Sequence, residues 1–189
     1  MDYFKSQLDR IQQQLGGLSA SQKMLTASLV AIMVMTLVWW GRYAGDAEMS
    51  PVFDTSLGSI GVTVCSDLRF PEVYRVLTLR GARIIVCASA FLSPRLDHWE
   101  FFIRARAAEN QVFVAASGQV GTEPISGISF VGRSMIADPW GTIIATASDV
   151  EGVVTAHLDL GLIDIMRDRY PLLDQRRPEL YGEISRPVG

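Results

Sequence analysis

Lysine is nearly absent: Lys5 and Lys23 are the only two, and every other basic residue is arginine. Cysteine is almost as scarce, with Cys65 and Cys87 alone, both inside apolar runs. Two isolated cysteines cannot build a disulfide framework, and their use fits a reducing compartment. Only two histidines occur, and no zinc-ligand spacing, phosphate-cradling glycine loop, G-x-S-x-G elbow or internal repeat is visible. The formal net charge of −3 removes any bulk electrostatic case for nucleic acid. Apolar residues, at 49% of 189, are plentiful instead. That length suits one ordinary domain with an appendage.

Part of the apolar excess lies near the N-terminus. Phe4, Leu8, Ile11, Leu15 and Leu18 recur at steps of three and four, which predicts an amphipathic helix over residues 1–23, interrupted at Gly16 and Gly17. From Met24 to Trp40 no charge occurs over 17 residues. At 1.5 Å per residue such a run covers roughly 25 Å, near the lower limit for crossing a bilayer. With Trp39, Trp40 and Tyr43 gathered at one end, it reads as a transmembrane helix over 24–41. A cleaved signal peptide and a buried helix are the rival readings. Lys5, Arg10 and Lys23 precede the run and Arg42 follows it, so a single-pass protein with a cytoplasmic N-terminus is expected. Residues 42–51 form a junction.

After Pro51 the pattern changes. IGVTVC, ARIIVCAS and QVFVAAS are strand-like, and they alternate with the helical PEVYRVLTLRG and HWEFFIRARAAEN. This alternation predicts an α/β domain over 52–181. SMIADPWGTIIATA and GVVTAHLDL read as β segments, with a turn at Asp138-Pro139-Trp140-Gly141. A last helix is expected through LGLIDIMRDRY, ending before Pro171, with a polar tail over 182–189.

Cys65 ends a strand-like run just before Pro71 and Glu72 open a helix. A thiol at such a turn meets backbone N–H groups that stabilise thiolate and hold an oxyanion, which suits attack on an acyl carbon. The plain alternative is a buried cysteine acting as a small hydrophobe. Asp67 and Arg69 either order that turn or face substrate. Phe91 either lines a pocket or packs in the core, and Cys87 packs mid-strand. His98 and His157 read as capping or core residues, and Glu109 as the ion-pair partner of Arg104 or Arg106.

The string Cys65-Ser66-Asp67-Leu68-Arg69-Phe70-Pro71-Glu72, with Phe53-Asp54-Thr55 before it, resembles the nucleophile region of the nitrilase superfamily, in its ω-amidase-like branch. His98-Trp99-Glu100, Arg104-Ala105-Arg106-Ala107-x-Glu109-Asn110, Ser134-x-Ile136-x-Asp138-Pro139-x-Gly141 and Glu151-Gly152 follow in the family's order. The resemblance covers residues 52–181. It implies an incomplete αββα sandwich, and hydrolysis of a small carboxamide through a Cys65 acyl-enzyme. The backbone N–H of Ser66 would serve as oxyanion donor, and Asp67, Arg69 and Phe91 would border the substrate pocket. It implies neither metal nor cofactor, and subunits that pair as homo-oligomers.

That family also uses a glutamate base and an oxyanion lysine upstream of its cysteine. Here no glutamate precedes Glu48, and neither Lys5 nor Lys23 sits in the family's pattern. Loss of one oxyanion donor costs about 100- to 1000-fold in rate. Loss of a general base costs about 100- to 10,000-fold. A truncated hydrolase of weak or no activity is therefore expected. Residues 1–50, with LSASQK before the apolar run and AEMSPVFD after it, resemble the N-terminus of flagellar M-ring proteins. A membrane-anchored non-catalytic module, or a fusion of the two parents, is the alternative.

Overall fold

The computed structural model describes residues 52–185. Six strands form one sheet in sequence order: β1 (Val52–Thr55), β2 (Gly58–Val64), β3 (Ile84–Ser89), β4 (Phe113–Gly118), β5 (Met135–Ala137) and β6 (Ile143–Thr146). The central trio β2, β3 and β4 is parallel, and both flanks are antiparallel. Each parallel step needs a crossover. Helix α1 (Pro71–Leu79) supplies the first and α2 (Leu96–Asn110) the second. Helix α3 (Gly161–Arg169) follows β6 and stops before Pro171, as the sequence predicts.

Side chains alternate across β3, so one strand feeds two cores. Ile85 and Cys87 join Tyr74 and Leu77 of α1 and Trp99, Ile103 and Ala107 of α2 in the main core. Ile84, on the opposite face, packs with Phe113 and with Ile163 of α3, beside Leu158 and Leu160. Arg83 fastens α3 to the sheet by donating to the Leu160 carbonyl and to Asp164, each at 2.7 Å.

The expected turn forms between β5 and β6. Asp138 Oδ1 accepts the amides of Trp140 and Thr142, and Gly141 takes φ +79°, a left-handed conformation natural to glycine. Arg104 Nε donates to the Gly141 carbonyl at 2.9 Å, locking the turn against α2.

The strand expected at GVVTAHLDL does not form. Burial alternates from Val154 to Leu160 as in an extended chain, yet no ladder partner lies beside it among the described residues. Periodicity set its conformation, whereas a strand also needs a neighbour to pair with. No helix among the described residues is long and apolar enough to cross a membrane. The helix expected over 1–23, the span over 24–41 and the junction lie outside the described residues.

Candidate active site

The parallel strands β2 and β3 run in the same direction, with Val64 paired to Ala88 near their carboxyl ends. That edge of an open α/β sheet is where ligands usually bind. Cys65 is the first residue beyond β2 and opens a 3-10 turn, Cys65–Arg69. Its φ is +46°, and its side chain is half-buried. A left-handed conformation costs a non-glycine residue roughly 1–3 kcal/mol, so surrounding contacts must hold it.

Those contacts can be named. On the far side of Cys65, Asp67 Oδ2 accepts the amide of Val64 at 2.8 Å, closing the turn around the thiol. Asp67 and Leu68 are buried, while Ser66 and Arg69 remain exposed. Before Cys65, Thr63 donates to the Val86 carbonyl at 3.0 Å, which leaves the Tyr74 hydroxyl to donate to Thr63 Oγ1 at 2.9 Å. After it, Arg106 Nε donates to the Leu68 carbonyl at 3.0 Å.

Arg69 lies flat over aromatic rings, its guanidinium carbon 4.9 Å from the Phe91 centroid and 5.5 Å from that of Phe102. Phe91 is only 4% exposed and belongs to the main core, 5.4 Å centroid to centroid from Trp99. The Trp99 indole donates to the Arg133 carbonyl at 2.8 Å. His98 is exposed in the first turn of α2 with its ring edge-on to Phe102, and His157 is also exposed, so neither is a core histidine. Glu109 pairs with Arg106 at 3.0 Å, one of the two expected partners, and Arg104 faces Glu100 instead.

The second thiol is of another kind. Burial pushes Cys87 up to about 11; the neighbouring Thr63 and Tyr74 hydroxyls oppose this, and the proximity of Cys65 and Asp67 adds to it. Burial likewise raises the Tyr74 hydroxyl well above its usual value, with Cys87 the next contributor. Two surface grooves lie away from the thiol. One, of about 560 Å³, lies between α1 and the C-terminal residues Arg176, Tyr181 and Ile184. The other, of about 590 Å³, lies between α2 and Trp140-Gly141. Neither includes Cys65. No cluster of three or more metal-ligating side chains exists among the described residues.

Thr63, Tyr74 and Arg106 are the members of this neighbourhood that sequence reasoning missed. Their only signal was proximity of Thr63 to Cys65 and the arginine-rich pattern of α2.

The carbon-nitrogen hydrolase profile matches residues 9–168, and the chain belongs to that family. Deaminated glutathione amidase of Mus musculus is 40% identical over 141 residues, 74% of this chain and 43% of the relative. A solved carbon-nitrogen hydrolase from Helicobacter pylori G27 superposes with a TM-score of 0.68 at 30% identity, covering 73% of this chain and 53% of that one. An amidase variant from Nesterenkonia sp. AN1, whose active-site cysteine carries a covalent acetamide group from fluoroacetamide, superposes with a TM-score of 0.60 at 26% identity. It covers 70% of this chain and 46% of that one. The chain thus spans about half the length of the relatives it matches. Its described sheet has the nitrilase fold.

The match overturns the single-pass membrane location. Residues 24–41 fall inside the matched 9–168, within the hydrolase family's sequence rather than ahead of it. Relatives such as the mouse amidase and a probable hydrolase of Schizosaccharomyces pombe align over most of this chain. Hydropathy misled for a physical reason: a charge-free run covering roughly 25 Å is at the short end for a bilayer and equally suits the interior of a folded domain. The M-ring likeness rested on residues 1–50, outside the described part, and the family match takes in all of these from residue 9 onward.

Proposed function

We propose that Cys65 is the nucleophile of a small-carboxamide hydrolase. Its thiolate adds to the amide carbonyl, and the backbone N–H of Ser66 receives the oxyanion. The tetrahedral adduct collapses as the amide nitrogen takes a proton from solvent water, the C–N bond breaks, ammonia departs, and a thioester is left on Sγ. Water then cleaves the thioester to a carboxylic acid and restores the thiol. The observation that carries this reading is the left-handed backbone of Cys65 (φ +46°) at the carboxyl end of a parallel strand. A cysteine kept only for packing needs no such strain. Asp67 closes the turn, and Arg69, over Phe91 and Phe102, is the cation nearest in sequence for a substrate carboxylate.

Turnover by this chain is proposed to be weak. Glu109 is engaged by Arg106, and the two lysines lie at positions 5 and 23, outside the family's pattern. The six-stranded sheet is proposed to be one half of an αββα sandwich. The face bearing Val62, Ala88 and Ser117, exposed in the described part, supports that arrangement. Subunits are proposed to pair.

Alkylation by iodoacetamide, followed by peptide mass analysis, tests the nucleophile. Cys65 is expected to react at least tenfold faster than both Cys87 and N-acetylcysteine at pH 7.5. The free thiol is the stricter reference, since burial alone slows Cys87. A Cys65 rate at or below that of N-acetylcysteine sinks the proposal. Ammonia release from small ω-amides, absent in Cys65→Ser, measures whatever turnover exists.

A further inference from the structure

We propose that Arg106 is a positioning residue that holds Cys65 in its reactive conformation, acting from a helix well downstream through the Leu68 carbonyl. This rests on the reading of Cys65 as the nucleophile.

Three observations carry it. The Cys65 backbone is strained, and relaxation of φ from +46° to a negative value would swing Sγ away from the strand ends and move every amide in the turn. The turn is gripped at both ends by one cluster. Thr63, two residues before Cys65, is tied to Tyr74 and to the Val86 carbonyl. Leu68, three residues after it, is tied to Arg106 Nε at 3.0 Å. Arg106 itself joins those grips, because its guanidinium lies 5.8 Å from the Tyr74 ring centroid and 5.5 Å from that of Phe102.

The orientation of Arg106 is fixed in turn. Its side chain is 7% exposed, so the cation has left water and must be compensated. Glu109 accepts from Nη1 at 3.0 Å and supplies that charge from one helical turn further on. Asn110 Nδ2 donates back to the Arg106 carbonyl at 2.9 Å. Nε is then left pointing at Leu68 O. The planar fork matters: Nη1 serves Glu109 while Nε serves the turn, and the guanidinium carbon stays beside both rings. A lysine ammonium cannot do all three. Phe102 also lies beneath Arg69, so one ring contacts both Arg106 and the last residue of the nucleophile turn.

The test is the second-order alkylation rate of Cys65 as a function of pH in the full chain, with Cys87 and N-acetylcysteine as references. Arg106→Gln is expected to slow Cys65 at neutral pH by at least tenfold. Arg106→Lys is expected to recover part of the rate. A general loss of stability would expose Cys87 and speed its reaction, so an unchanged slow Cys87 separates positioning from unfolding. If Arg106→Gln fails to fold, judged by far-UV circular dichroism, Glu109→Gln keeps the side-chain volume and loosens only the aim of the guanidinium. It is expected to slow Cys65 about threefold. A fast wild-type Cys65 that either folded variant leaves unchanged overturns this inference alone. A wild-type Cys65 no faster than N-acetylcysteine overturns the nucleophile reading and this one together.

Discussion

Two thiols separated by 22 positions illustrate how much a single residue's surroundings decide. Both fell in apolar runs of the sequence, and composition alone did not rank them; the motif after Cys65 did. Cys65 falls beyond the last paired residue of β2, where the chain turns and the side chain meets solvent. Cys87 falls inside β3, facing Tyr74, where burial holds its proton up to about 11. That shift has a sign. A folded-state value above the unfolded value of 9.0 means stability complete below pH 9 and lost as pH rises through about 11. The loss is on the order of 2–3 kcal/mol. Urea unfolding of wild type and Cys87→Ala between pH 8 and 11.5 checks this; the variant should lose less, and parallel losses would discount Cys87. Arg106 was legible as an ion-pairing helix residue, but not as the partner of the Leu68 carbonyl, since sequence carries no trace of a bond between positions 38 apart.

At the scale of elements, the strands and helices of the parallel core were legible because each satisfies its own periodicity. α1 begins at Pro71 and α2 buries Trp99, Ile103 and Ala107 at steps of four. GVVTAHLDL failed because extended geometry alone does not supply a pairing partner. Among the glycines of the described residues, Gly118, the last residue of β4, is the most closely approached. A Cβ there would lie 2.0 Å from the Gly132 carbonyl oxygen and 3.4 Å from the Trp99 ring. Neither backbone carbonyl nor a buried indole gives way cheaply. Gly118→Ala is therefore expected to cost about 2–4 kcal/mol. Chemical denaturation measures it, and a loss below 1 kcal/mol would mean the two loops separate easily.

For the molecule as a whole, the two faces of the sheet are covered unequally. One is sealed by α1 and α2. The other is covered by α3 where Ile84 and Phe113 begin their strands, and opens toward Ala88 and Ser117. Apolar groups also stand exposed around the groove between α1 and the C-terminal residues: Val76 at 40%, Leu79 at 51% and Ile184 at 60%. Clustered exposure of this kind marks contact surfaces. If the proposed pairing of subunits uses it, light scattering at micromolar concentration should give a mass above one chain, and Leu79→Glu should reduce it. A wild-type mass of one chain would count against pairing.

The sequence by itself determined the family, the α/β alternation and the position of the cysteine, because local periodicity and a dense run of shared motifs are properties of neighbouring residues. It could not decide the apolar stretch at 24–41, since hydropathy is the same for a bilayer and for a protein interior. Only tertiary structure decided that Cys65 is strained, that Phe91 is core beneath Arg69, and that Arg106 grips the turn. Strain, burial and long-range hydrogen bonds arise only when distant segments are brought together, and no local pattern records them.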